Sequence, residues 1–119
     1  MTKRISFTKH LNKLLPKFRE NMSNAESTED VKKFFFYAVK ELLEDILERE
    51  IDITEDEIVL IPEKPPFYEI SSRLVSTELK EVWKESDLPH LIEKLAESAT
   101  GRYKHLEKHP EKTESKIRM

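Results

Sequence analysis

His105 and His109 stand four positions apart, so on a helix both imidazoles would leave from one face, the spacing with which histidine pairs hold zinc. A third ligand is not evident: Glu107 faces elsewhere and Glu111 follows a proline. The acidic run Asp52, Glu55, Asp56 and Glu57 suggests a cation in the same superficial way. A calcium loop of the EF-hand type needs a longer series of oxygen ligands and a glycine at its sharp turn. The plainer readings are preferred, a solvated helix end and a solvated turn with Thr54 as a local cap. No metal site is assigned, and no cofactor is expected.

The inventory for nucleophilic or acid–base chemistry is poor. Ser71, Ser72, Ser76 and Ser86 occupy polar or capping contexts, and none sits in a strand–turn–helix nucleophile setting. His10 and His90 are candidate bases only in the sense that any histidine is. No residue is assigned a catalytic role. The absence of cysteine excludes disulfides, thiolate metal sites and cysteine nucleophiles. A single glycine, Gly101, excludes the glycine-rich loops that let a backbone approach phosphates closely.

Two groups of residues suit binding better than catalysis. Lys9, Lys13, Lys17 and Arg19 could track phosphates along a first helix, and Lys104, Lys108, Lys112, Lys116 and Arg118 add basic groups near the end. Against a nucleic-acid role, the isoelectric point is about 5.9, and neither a helix-turn-helix glycine nor an aromatic stacking platform is present. The second group is Pro65, Pro66, Phe67 and Tyr68, where two aromatics follow a stiff proline pair. Such a turn can present a rigid apolar contact to a partner protein, because little conformational entropy remains to be lost. The plain alternative lets Phe67 and Tyr68 alternate across a strand, one in and one out. Trp83 reads as a core anchor first and an interface residue second.

The elements that must position these residues follow from apolar spacing. Phe7, Leu11, Leu14, Leu15, Phe18 and Met22 form one helical stripe, continuous across Pro16, which predicts a single helix kinked at the proline. After a connection at 23–27, Ser27 or Thr28 caps a second helix over about 28–50. Its apolar residues cover more of the circumference than one neighbour requires, so it is expected to be central. Ile58–Ile61 and Phe67–Ile70 read as two strands of a hairpin joined by the five residues 62–66. Helical spacing returns with Val75, Leu79, Val82 and Trp83, ending near Glu85. Ser86 and Asp87 then cap a last helix with Pro89 in its first turn. That helix carries Leu88, Ile92, Leu95, Ala96, Ala99 and Tyr103 on one face, with Gly101 as a potential break.

The expected fold is therefore α+β and mostly helical: two N-terminal helices, a short β-hairpin and two C-terminal helices. Residues 1–109 form one domain, and 110–119 are expected to be a disordered tail. The 119 residues suffice for one domain, and 33 Leu, Ile, Val and Phe support a core despite a charged fraction of 38%. The longest apolar run, Phe34 to Val39, is far below the about 18–20 residues that span a bilayer, so no membrane association is expected. No signal peptide is evident, and a cytoplasmic location is expected. Charge is segregated: residues 1–24 carry net +5, residues 25–63 net −9 and residues 64–119 net +1. The basic and acidic regions could satisfy each other within one molecule or between two. With catalytic loops missing, the leading expectation is a non-catalytic protein-interaction or assembly module, self-associating as a homodimer. A nucleic-acid accessory protein is the alternative, and a small enzyme with an unrecognised site the third.

Overall fold

A computed structural model describes residues 6–77 and 79–108. The expected tail, its basic residues and His109 lie outside them.

Helix α1 spans Thr8–Asn24 and α2 spans Thr28–Leu47. A two-stranded antiparallel hairpin follows, β1 Ile58–Leu60 and β2 Tyr68–Ile70. Two short helices, α3 Ser72–Ser76 and α4 Lys80–Glu85, lead into α5, Leu88–Lys108. The mostly helical α+β order read from the sequence is the order found.

Each main helix has an identifiable start. Ser27 Oγ accepts from the Asp30 N–H at 3.2 Å, and Asp30 Oδ2 accepts from the Glu26 N–H at 3.1 Å. Ser27 thereby satisfies one orphan amide at the start of α2, and Asp30 ties down the residue before the cap. Ser86 Oγ accepts from the Leu88 N–H at the start of α5. Helix α1 has no side-chain cap of its own. Its start is held by Asp87, eighty residues away, whose Oδ1 accepts from the Phe7 N–H at 2.9 Å.

That contact also sets helix direction. Asp87, at the start of α5, meets the start of α1, while Arg102 near the end of α5 meets Ser23 and Ala25 at the end of α1. The two helices therefore run parallel. Helix α2 runs against both: Asp45 near its end contacts His10 and Lys13, and Lys32 near its start lies over the Tyr103 ring. The result is a three-helix bundle with the hairpin packed against α2 and α5. Val31, Phe35, Val39, Leu42 and Leu43 of α2 are fully enclosed. The broad apolar face of α2 is thus covered by α1, α5 and β1 within one chain. Tyr37, 50% exposed, is the large hydrophobic that α2 leaves outside.

The structure corrects several boundaries. Helix α2 stops at Leu47, three residues before the expected end, because Glu48 turns left-handed at φ 58°. That turn lets Ile51 and Ile53 re-enter the core. The strands are shorter than expected, and the connection takes in Ile61 and Phe67 as well as 62–66. The helix expected up to Glu85 is two helices. Leu74 and Leu79 are both fully buried, yet five positions apart on one helix they would point about 140° away from each other. Breaking the helix brings both inward. The break is assisted by Ser76 Oγ and Thr77 Oγ1, which donate back to the Ser72 and Arg73 carbonyls. Trp83 is half-buried against the core rather than enclosed by it. Helix α1 runs through Pro16 and α5 runs unbroken through Gly101.

Candidate functional site

The proline turn and the start of α5, some twenty residues apart in sequence, form one hollow. On the turn side, the Phe67 N–H donates to the Lys64 carbonyl at 2.9 Å, and the Ile61 N–H donates to the Phe67 carbonyl at 2.8 Å. Phe67 holds a positive φ of 73°, a conformation that a bulky residue adopts only when its surroundings impose it. The Pro65–Pro66 peptide is cis. Pro65 and Pro66 are exposed to solvent, while Phe67 is half-buried against the core. Tyr68 turns inward at 8% exposure, and its hydroxyl donates to the Pro89 carbonyl at 3.2 Å. Of the four residues assigned to partner contact, the two prolines are open, and Tyr68 serves as the floor of the site.

The other wall comes from the capping segment. Pro66, Tyr68, Ser86, Asp87, Pro89, His90 and Glu93 line a hollow of about 630 Å³. Burial, followed by the nearby Glu93 carboxylate, pushes the Tyr68 hydroxyl up to about 12, so it is a neutral donor at ordinary pH. Asp87 is already engaged. Burial alone would raise its pKa, but the Phe7 N–H and the Ser6 and Thr8 hydroxyls together hold it below the usual value. Glu93 and His90 add polar groups to a wall that Pro66, Tyr68, Pro89, Ser86 and the already engaged Asp87 complete.

The basic residues of α1 divide among different settings. Lys13 Nζ lies 3.2 Å from Asp45 Oδ1 and His10 Nδ1 lies 2.6 Å from Asp45 Oδ2. These contacts, His10 foremost, hold the Asp45 carboxyl below its ordinary pKa. They also realise inside one chain part of the basic–acidic complementarity seen in the sequence. Lys17 borders a groove of about 250 Å³ between α1 and α2 that includes Phe34, Tyr37 and Glu41. Arg19 borders a different groove, between α1 and α5. Lys9 is exposed. The aspartate-oriented imidazole of His10 resembles the base–orienter half of a catalytic arrangement. None of the hollows described here is lined by His10 or Asp45.

The acidic turn holds a built network that its composition does not suggest. Arg73 donates from Nε to Glu57 Oε2 at 2.7 Å and from Nη2 to Glu57 Oε1 at 2.8 Å, with Nη2 also on the Asp52 carbonyl. The Thr54 N–H and Ser71 Oγ complete the shell of the carboxylate. Arg73 first, then the Thr54 amide, bring the Glu57 carboxyl down to about 2. Glu57 therefore fastens the 51–57 segment to the start of α3. Among the described residues, no group of three or more His, Asp or Glu side chains could hold a metal ion, and no helix is long and apolar enough to cross a membrane.

Bundle and hollow together describe a small helical scaffold carrying a rigid turn beside a concave surface. No protein-family model matches the chain, and neither a curated protein nor a solved structure matches it.

Proposed function

We propose that this chain is a non-catalytic, cytoplasmic protein-interaction module, and that its partner docks in the hollow between the proline turn and the start of α5. The observation carrying this reading is the pinned rim: Phe67 and Tyr68 are each fixed by hydrogen bonds, beside the stiff Pro65–Pro66 pair. A surface ordered before binding loses little entropy when a partner arrives. The chemistry of the hollow selects the partner. Pro66, Pro89 and the Tyr68 ring favour apolar side chains, and the Glu93 carboxylate at the edge favours a cation. The occupant is a protein segment with an arginine or lysine beside an apolar residue.

The nucleic-acid reading has less support. Lys13 is engaged with Asp45, while Lys17 and Arg19 border different grooves, so the assigned basic residues do not make one continuous track.

Selection from a random peptide library against the intact protein, with counter-selection against Glu93→Lys, tests the proposal. Enriched peptides should pair a basic with an apolar residue and bind Glu93→Lys about tenfold more weakly. Failure to enrich any sequence, or enrichment indifferent to position 93, would refute it. Light scattering identifies whether the partner is a second copy: a doubled mass that Glu93→Lys returns to about 14.2 kDa assigns the occupant to this same chain.

A further inference from the structure

The groove between α1 and α2 shares no residue with the hollow at the proline turn. It leaves open the apolar side chain that the fold least explains. Tyr37 is 50% exposed, the one large hydrophobic so exposed among the described residues. The ring of buried Phe36 lies tilted against it, with centroids 5.8 Å apart. Leu14 and Phe18 of α1, with Phe34 and Ala38 of α2, line the concavity beside it, about 250 Å³ in volume.

Each wall carries one charge, and the helix register puts the two charges level. Lys13 of α1 pairs with Asp45 of α2 at 3.2 Å, across helices that run in opposite directions. Four residues on along α1 and four back along α2, close to one turn of each, stand Lys17 and Glu41. Both border the groove and both are exposed. Unlike the pair one turn away, they form no ion pair among the described residues. The apolar concavity thus lies between a cation and an anion at one level.

A surface of that pattern is complementary to itself. Turned over about a two-fold axis running along the groove, a second copy sets its α1 on this α2 and its α2 on this α1. Such a rotation keeps each residue at its own level, so Lys17 faces the partner's Glu41 and Glu41 faces the partner's Lys17. An axis across the groove would instead stack α1 on α1 and oppose like charges. Charge therefore fixes the orientation, and the apolar part supplies the affinity. Each Tyr37 is laid against the partner's α1, and tyrosine anchors interfaces because it buries a large, rigid ring.

We propose that the α1–α2 groove is the contact between two copies of this chain, a symmetric dimer in which α1 of each packs on α2 of the other. The basic segment 1–24 and the acidic segment 25–63 then satisfy each other between molecules at Lys17 and Glu41, as they do within one at Lys13 and Asp45.

Light scattering of the full chain from about 10 μM to about 1 mM tests this. Wild type should approach twice 14.2 kDa as concentration rises. Lys17→Glu and Glu41→Lys should each weaken association about tenfold, because each places like charges across the axis. Mixed in equal amounts, the two variants should recover a two-chain mass, since the two acidic walls of one meet the two basic walls of the other. Tyr37→Ser should also weaken association, with an amide NMR spectrum that remains that of a folded monomer. A mass near 14.2 kDa at every concentration would overturn the inference. So would association indifferent to positions 17, 37 and 41, or a mixture that fails to recover. Association that Glu93→Lys abolishes while positions 17 and 41 are silent belongs to the hollow at the proline turn, and it too overturns the inference.

Discussion

Glu57 illustrates how much one side chain contributes beyond its charge. Its carboxylate gathers Arg73, Ser71 and the Thr54 amide, joining the segment after α2 to the start of α3. The folded pKa, about 2, lies below the ordinary carboxylate value. The folded state therefore binds fewer protons than the unfolded chain between the two values. Stability from this group is fully present above about pH 4.5 and is lost as pH falls towards about 2. Urea titrations from pH 6 down to pH 2 should show wild type losing its advantage over Glu57→Gln across that window. A constant difference between the two proteins throughout would deny Glu57 this role. The network was not legible in the sequence: Arg73 is sixteen positions away, and an acidic run next to Thr54 reads equally well as a solvated turn.

Elements in this chain are held by ends as much as by faces. The stripes of α1, α2 and α5 were legible because each keeps the helical period over four or more turns, and the local capping signals Ser27 and Ser86 act where they stand. The region 72–85 was not legible, because apolar spacing continues across a break that exists to bury Leu74 and Leu79 together. Nor was the cap of α1, since Asp87 lies eighty residues from Phe7. Asp87→Ala should destabilise the protein by about 1 kcal/mol, the usual loss when a helix-start acceptor is removed, measured by urea unfolding. Gly101 points the other way. Helix α5 passes through it without a break, and an added Cβ meets nothing. Gly101→Ala should stabilise the fold by about 1 kcal/mol in the same assay, because alanine loses less backbone freedom in a helix. An unchanged or lowered midpoint would show that the glycine serves packing.

At the scale of the whole molecule, three helices enclose the core while the hairpin and short helices close the α5 side, leaving grooves where elements diverge. The sequence pointed to one side of the main hollow, because proline–proline–aromatic is a local signal of stiffness. It could not supply Ser86, Asp87, His90 and Glu93, which meet the turn where the Tyr68 hydroxyl reaches the Pro89 carbonyl. The groove beside the exposed Tyr37 is the principal rival as a docking surface, since it too is apolar and bordered by charge. Mapping amide shifts in the protein saturated with its best selected peptide separates the two. The account predicts a footprint on Tyr68, Asp87, His90 and Glu93, with the Leu14–Met22 stretch of α1 and the Phe34–Glu41 stretch of α2 undisturbed. A footprint centred on Lys17, Tyr37 and Glu41, with the proline turn silent, would contradict it.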